Sequence, residues 1–230
     1  VLHLILADAE LETVPREIAP HRIFAWQARR RGRLPTELLL DSSLHHLAMR
    51  GLRDADRRGR PDIAHVCLQL ALDSPLNRGG QLRLYVHTRH NKLITIDPAT
   101  RIPHAYNRFV GLIEHLFLTG TAPPEKPLLR LEDAPLAETI ARIKPARVIS
   151  FNERGEKKLF SELFRGLSKG DEACVVIGGF PHGDFLSDVR ELSNELVCID
   201  PDLLTAPTVT ARAIYAYEDA FGTQTLRFTR

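Results

Sequence analysis

Apolar positions along this chain recur with two different periods, and the switches between them mark its elements. Leu2–Ala7 is a short apolar run that reads as a strand, followed by an acidic turn over Asp8–Val14. Leu38–Leu40 predicts a second short strand, with Asp41-Ser42-Ser43 as the N-cap signal of a helix reaching Leu52. Asp62 is placed to cap the next helix, where Ile63, Val66, Cys67, Leu70 and Ala71 follow the i, i+3, i+4, i+7, i+8 stripe. Leu82–Arg89 and Lys92–Asp97 alternate as two strands of a hairpin turning at His90-Asn91. Tyr106–Leu118 is helical by the spacing of Phe109, Leu112, Ile113, Leu116 and Phe117.

Thr119–Pro135 contains four prolines and reads as a linker or wrapping connection. Beyond it the pattern alternates regularly. Helices are expected at Leu136–Ile143, Lys158–Leu167, Asp184–Leu192 and Thr208–Phe221, with strands at Ala146–Phe151, Glu172–Ile177 and Glu195–Ile199. Such succession predicts an α/β fold: a mostly parallel sheet with helices on both faces and a β-hairpin/helix insertion in the first half. Within it, Val175–Phe185 is the most informative stretch. A β-branched run ends in Gly178-Gly179, then a Pro turn, then Gly183-Asp184. Glycines past the carboxyl end of a parallel strand let backbone approach a ligand, although they also serve plain tight turns. The spacing is neither G-x-G-x-x-G nor a Walker loop.

With 230 residues, 43% of them hydrophobic, the chain can bury one large core or two modest ones. Cys67, Cys174 and Cys198 lie in apolar stretches without C-x-x-C spacing, which predicts reduced core thiols of a cytoplasmic protein. No apolar run is long enough to span a bilayer, and no histidine pair has zinc-ligand spacing, so neither membrane nor metal is expected as a partner. Charge changes the picture more. Residues 1–120 hold 17 Lys/Arg against 12 Asp/Glu, and 16 of those cations are arginine. Arg29-Arg30-Arg31-Gly32-Arg33 is one dense cluster; Arg50, Arg53, Arg57, Arg58 and Arg60 form another. Arginine suits bidentate phosphate recognition, so a polyanion is expected to touch the first half, though such arginines could equally be ordinary surface charge.

Three loops follow three parallel strands: Ile149–Asn152, Gly178–Gly183 and Val197–Asp202. Loops at strand carboxyl ends gather on one edge and could form a single, nearly uncharged cradle for a nucleoside. Arg60-Pro61-Asp62 puts an anion two residues from a cation, able to hold the guanidinium in one rotamer. If Arg101–Arg108 is helical, Arg101, His104 and Arg108 share a face, with Tyr106 available for stacking: an RNA backbone grip. The alternative is that these arginines pair with Asp54, Asp56 or Asp97.

Eight blocks together resemble a known family: Leu39–Ser43 (LLDSS), Arg57–Ile63 (RRGRPDI), Leu72–Asn77 (LDSPLN), Tyr85–Arg89 (YVHTR), Arg101–Pro103 (RIP), Tyr106–Leu112 (YNRFVGL), Ile177–Phe185 (IGGFPHGDF) and Tyr215–Glu218 (YAYE). The chain is similar to the ribosome-biogenesis pseudouridine N1-methyltransferases of the SPOUT superfamily, in their archaeal-type branch. The resemblance implies one SPOUT domain over residues 1–230 with a carboxyl-terminal trefoil knot. Within it, 50–118 would be a basic RNA-binding portion and 136–230 the knotted cofactor-binding portion. It implies a homodimer that binds S-adenosyl-L-methionine through Ile149, Gly178, Gly183, Val197, Cys198, Ile199, Asp200, Pro201 and Asp202. It also implies contact with small-subunit rRNA through Arg60, Arg101, His104 and Arg108, where His104 replaces the family's usual arginine. Catalysis would fall to Arg60 and Asp62, with Asp62 orienting Arg60 rather than acting as a base. Two further readings stay open: a ribosome-assembly factor in which methylation is dispensable, and a nucleotide-binding enzyme acting on a small molecule.

Overall fold

A computed structural model describes residues 1–229. The strands are β1 (Leu2–Ala9), β2 (Leu82–Thr88), β3 (Lys92–Ile96), β4 (Thr121–Ala122), β5 (Leu129–Asp133), β6 (Arg147–Lys157), β7 (Ala173–Gly178) and β8 (Glu195–Cys198). The helices are α1 (Arg22–Arg31), α2 (Ser42–His45), α3 (Pro61–Asp73), α4 (Pro75–Arg78), α5 (Tyr106–Thr119), α6 (Leu136–Ile143), α7 (Val189–Leu192), α8 (Ala206–Ala220) and α9 (Thr223–Phe228). All eight strands form one sheet in the order β4-β5-β3-β2-β1-β7-β6-β8. From β2 across to β8 the neighbours run parallel, while β3, β5 and β4 close one edge antiparallel.

The period of two along β1 assigns its side chains to opposite layers. Leu2, Leu4 and Leu6 enter the larger core with Ile63, Cys67 and Ala71 of α3, Phe109 and Ile113 of α5, and Ala213 and Tyr217 of α8. Ile5 and Ala7 point the other way, onto Leu136 and Ile140 of α6 and Val189 of α7. Helices therefore cover both faces, as a parallel sheet requires. No helix among the described residues is long and apolar enough to cross a membrane.

Several elements differ from the sequence expectation, each for a physical reason. α1 forms where only a basic cluster was visible, because Phe24 and Ala28 alone anchor it. It packs on Val14, Leu38, Leu40, Met49 and Leu52 to make a small separate core between β1 and α3. The helix expected through Leu52 stops at His45 and continues as turns. Along α3, Ile63, Cys67 and Ala71 are buried as expected, but Val66 and Leu70 are exposed. The proline-rich linker supplies β4 and β5 rather than a free connection. Lys158–Leu167 holds only a short 3₁₀ turn at Phe160–Glu162, since the chain is still paired with β8 at the expected helix start, the Lys158 N–H donating to the Cys198 carbonyl. Asp184–Leu192 is helical only over α7.

β6 overshoots its expected end. After Phe151 pairs with Val197, residues 152–155 swing out, and Glu156 and Lys157 return to the same stretch of β8. Gly155 presses backbone to backbone there: a Cβ would lie 2.5 Å from the Val197 nitrogen. Asn152–Arg154 are thereby pushed to the rim at the carboxyl ends of the strands.

In the small core, His45 is buried against Phe24, their rings 4.7 Å apart. Its Nδ1 accepts from the Asp41 N–H at 3.0 Å, so the ring is held neutral. Burial pushes its pKa from 6.5 down to about 4. A depressed histidine stabilises the fold fully above the unfolded value and loses that contribution as pH falls toward the folded one. Acidification from pH 6.5 to 4 is therefore expected to loosen α1 by on the order of 3 kcal/mol. Emission of Trp26, the only tryptophan, should report the loosening, and a His45→Gln variant should show a flatter pH profile.

Candidate functional site

The carboxyl ends of the parallel strands enclose a cavity of about 640 Å³, large enough for an adenosyl group. All three expected loops meet there, represented by Phe151 and Asn152, by Gly178 and Phe180–Phe185, and by Val197–Asp202. Gly178, Gly183, Val197, Cys198, Ile199, Asp200, Pro201 and Asp202 all line it. Ile149 does not: it is fully buried inside β6, two residues before the rim. The lining is also not nearly uncharged. Asp62, Glu153, Asp184, Asp200 and Asp202 stand against Arg60 and Arg154. An acid-rich rim of this kind repels phosphates and suits a cationic ligand.

The glycine loop is held from below by β1. The Gly179 N–H donates to the Ala7 carbonyl at 2.7 Å, and the Glu10 N–H donates to the Gly179 carbonyl at 3.1 Å. A Cβ on Gly179 would sit 2.7 Å from the Ala9 Cα, so this approach excludes any side chain. Further along, the Asp8 carboxylate accepts from the N–H groups of Leu186 (2.7 Å) and Ser187 (2.8 Å) and from the Ser187 hydroxyl. Burial opposes charge on Asp8, but hydrogen bonds from His87 and Ser187 outweigh it and hold its carboxyl below the usual range. Those bonds pin the segment directly ahead of α7, which begins only at Val189. Asn152 Nδ2 donates to Asp184 Oδ1 at 2.9 Å, tying the first loop to the second.

The acidic turn and the arginine cluster neutralise each other. Glu10, fully buried, accepts from Arg57 Nε at 2.6 Å and from Arg89 Nη1 at 2.7 Å. Glu12 accepts two bonds from Arg58, at 2.8 and 2.7 Å, and lies 3.0 Å from His90 Nε2. Arg57 also donates to the Asp184 carbonyl at 2.9 Å and lies 4.4 Å over the Phe180 ring. Its buried Nη2 has no hydrogen-bond partner, so the aromatic face compensates only part of its desolvation. Arg57 and Arg58, read from the sequence as part of a basic surface, are thus internal struts.

Arg60 behaves as expected. Its Nε and Nη2 donate to the two Asp62 oxygens, at 2.9 and 2.7 Å, and this hydrogen bonding to Asp62 raises its pKa. The pair sits at the start of α3 and lines the cavity. Asp62 is not the helix cap, because Arg60 holds that position and Pro61 begins the helix. Arg101, His104 and Arg108 are exposed and, among the described residues, have no carboxylate partner. They do not share a helical face, since α5 begins only at Tyr106. Instead the preceding segment lies along α3: His65 Nε2 is 2.8 Å from the Pro103 carbonyl, and Gln69 Nε2 is 3.4 Å from His104 Nδ1. Tyr106 is not free to stack, because its hydroxyl donates to Asp41 Oδ2 at 2.6 Å.

A parallel sheet with a nucleoside-sized, acid-rimmed cavity at its carboxyl edge, flanked by a fixed arginine, defines a cofactor-binding α/β transferase. A profile of the EMG1/NEP1 methyltransferase family matches residues 4–218, and the chain belongs to that family. The ribosomal RNA small subunit methyltransferase Nep1 of Thermococcus onnurineus is 50% identical over 189 residues, covering 82% of this chain and 86% of its own. The protein of that name from Pyrococcus furiosus is 45% identical over 217 residues, covering 94% and 96%. The crystal structure of Archaeoglobus fulgidus Nep1 bound to S-adenosylhomocysteine matches with a TM-score of 0.84 at 38% identity, over 96% of this chain and 98% of that one.

Removing the charge of Glu10 (Glu10→Gln) strands buried Arg57 without its counter-ion and leaves Arg89 only Asp54. A loss of about 3–5 kcal/mol is expected in denaturant unfolding, against under 1 kcal/mol for the exposed Arg53→Ala. Faster amide hydrogen exchange in Gly178–Phe185 should accompany it, because the glycine loop loses its strut.

Proposed function

We propose that this protein is an S-adenosyl-L-methionine-dependent methyltransferase of small-subunit rRNA, acting in ribosome biogenesis, and that the atom methylated is N1 of a pseudouridine in a hairpin loop. One observation carries the reading: the Arg60–Asp62 pair opens onto the same cavity that the three strand-end loops enclose. The residues present fit the cofactor. Gly178, Gly183 and Val197–Asp202 would hold it, with carboxylates outnumbering cations around a positively charged ligand. When bound, S-adenosyl-L-methionine supplies a methyl group already activated by its sulfonium.

The chain's own task is to position the base and manage one proton. N1 of pseudouridine carries a hydrogen that must leave, and uridine has no such hydrogen because its glycosidic bond occupies that atom. Arg60 stabilises the resulting anion, with Asp62 fixing its guanidinium in place. Arg101, His104 and Arg108 grip phosphates along the segment beside α3, and the target nucleotide is flipped toward the rim. Residues 50–118 would form the RNA-binding portion and 136–230 the cofactor-binding portion. A trefoil knot belongs to the same reading. So does a homodimer: Val66 at the cavity, Leu70 further along α3 and Tyr215 of α8 are large exposed side chains. Three buried free thiols fit a reducing, cytoplasmic setting.

Mass spectrometry of a small-subunit rRNA hairpin should show one added methyl when the loop carries pseudouridine and none when it carries uridine. Equal labelling of both would rule out N1 as the acceptor. Arg60→Ala should lower kcat by about 100-fold, the scale of losing one charge-stabilising donor. Asp62→Asn should cost about tenfold, with no shift of the pH-rate profile; a shifted acidic limb would make Asp62 the base instead.

A further inference from the structure

α1 is the motif that methyl transfer leaves unused. Its buried side is Phe24 and Ala28. On the opposite side Arg22, Trp26, Arg29 and Arg30 fall within an arc of about 100° at helical spacing. All four are exposed, Trp26 at 57%, and the Arg30 guanidinium lies 4.8 Å over the Trp26 ring.

These arginines differ from the others in the first half. Arg57, Arg58 and Arg89 are buried in ion pairs, and Arg31 donates to Glu114 of α5 at 2.6 Å. Arg22, Arg29 and Arg30 have no carboxylate partner among the described residues. Residues 16–33 hold six arginines and a single glutamate. Helix stability explains only part of this. Cations in the last turn complement the helix dipole, which accounts for Arg29 and Arg30. Arg22 occupies the first turn, where a cation is unfavourable and no acid offsets it. An exposed tryptophan likewise gains nothing from being exposed.

Unpaired guanidiniums around a stacking platform match single-stranded nucleic acid, in which phosphates and unstacked bases alternate. α1 is also tied to the helix that carries one of the expected rRNA contacts. Glu114, which receives Arg31, lies six residues along α5 from Arg108, a rise of about 9 Å.

We propose that the outer face of α1 is a second RNA-contact surface, which binds single-stranded rRNA flanking the target hairpin by stacking a base at Trp26 and pairing phosphates with Arg22, Arg29 and Arg30. It rests on the reading of the chain as an rRNA enzyme, and it sets substrate length rather than chemistry.

The test uses two RNAs, a minimal pseudouridine hairpin and the same hairpin with single-stranded flanks. Trp26 emission should quench with the flanked RNA and not with the minimal one. An Arg22→Ala/Arg30→Ala variant should bind the flanked RNA about tenfold more weakly, with a slope of log K against log salt smaller by about 1.4. Its methylation of the minimal hairpin should match wild type. Unchanged Trp26 emission with flanked RNA, or equal binding by the variant, overturns the inference. So does a Trp26 response to protein concentration alone, which would give the face to a second copy of the chain. If the wild type quenches but methylates neither RNA, the surface stands and the methyl-transfer reading falls. Should the double variant misfold, the wild-type quench still decides.

Discussion

Glu10 is the residue on which the working end of this molecule depends. One fully buried carboxylate, just past the central strand, meets two arginines that come from different directions: Arg57 from the segment before α3 and Arg89 from the end of β2. Arg57 then reaches the opposite wall, where it stacks on Phe180 and binds the Asp184 carbonyl. A charge with this little access to water can exist only because its counter-charges are fixed, so the constraint runs both ways. The acidic turn, the arginine segment and the glycine loop are positioned as one unit or not at all.

That coupling sorts the arginines into two classes. Those near the sheet end are spent on internal carboxylates, with Glu10 taking Arg57 and Arg89 and Glu12 taking Arg58. Those left over lie in separate places: Arg60 at the cavity, Arg101 and Arg108 on the segment beside α3, and Arg22, Arg29 and Arg30 on α1. The basic character of the first half is therefore a set of discrete contacts rather than a continuous field. The cavity is the opposite case, with carboxylates outnumbering guanidiniums around it. The acid-rich cavity at the sheet edge thus stands apart from the unpaired guanidiniums on α1 and on the segment beside α3.

Much of this was legible from residue order, and what was not shares one cause. The apolar runs of β6, β7 and β8 and the glycines after Ile177 placed the loops at a common edge, because a parallel sheet leaves them nowhere else to go. The Arg60–Asp62 pair was readable because its partners are two residues apart. Long-range pairings were invisible: nothing local in Asp8–Val14 says that its carboxylates will bury arginines from residues 57, 58 and 89. Tyr106 looked available because Asp41, its partner, is 65 residues away. α1 escaped notice because two buried side chains are too few to set a periodic signal. β4 and β5 hid among prolines because an antiparallel edge needs far less apolar sequence than a central strand.

The seat of β1 in the sheet has a consequence for how the chain comes to be made. Leu2 pairs with Leu82 on one side and with Ala173 on the other. β1 is thus separated along the chain from its second neighbour, β7, by about 170 residues. Until β7 is made, a mostly apolar strand has one flank open, the arrangement that slows folding and invites wrong partners. Closure of the sheet waits on the later half, so this topology cannot be completed strand by strand as the chain lengthens.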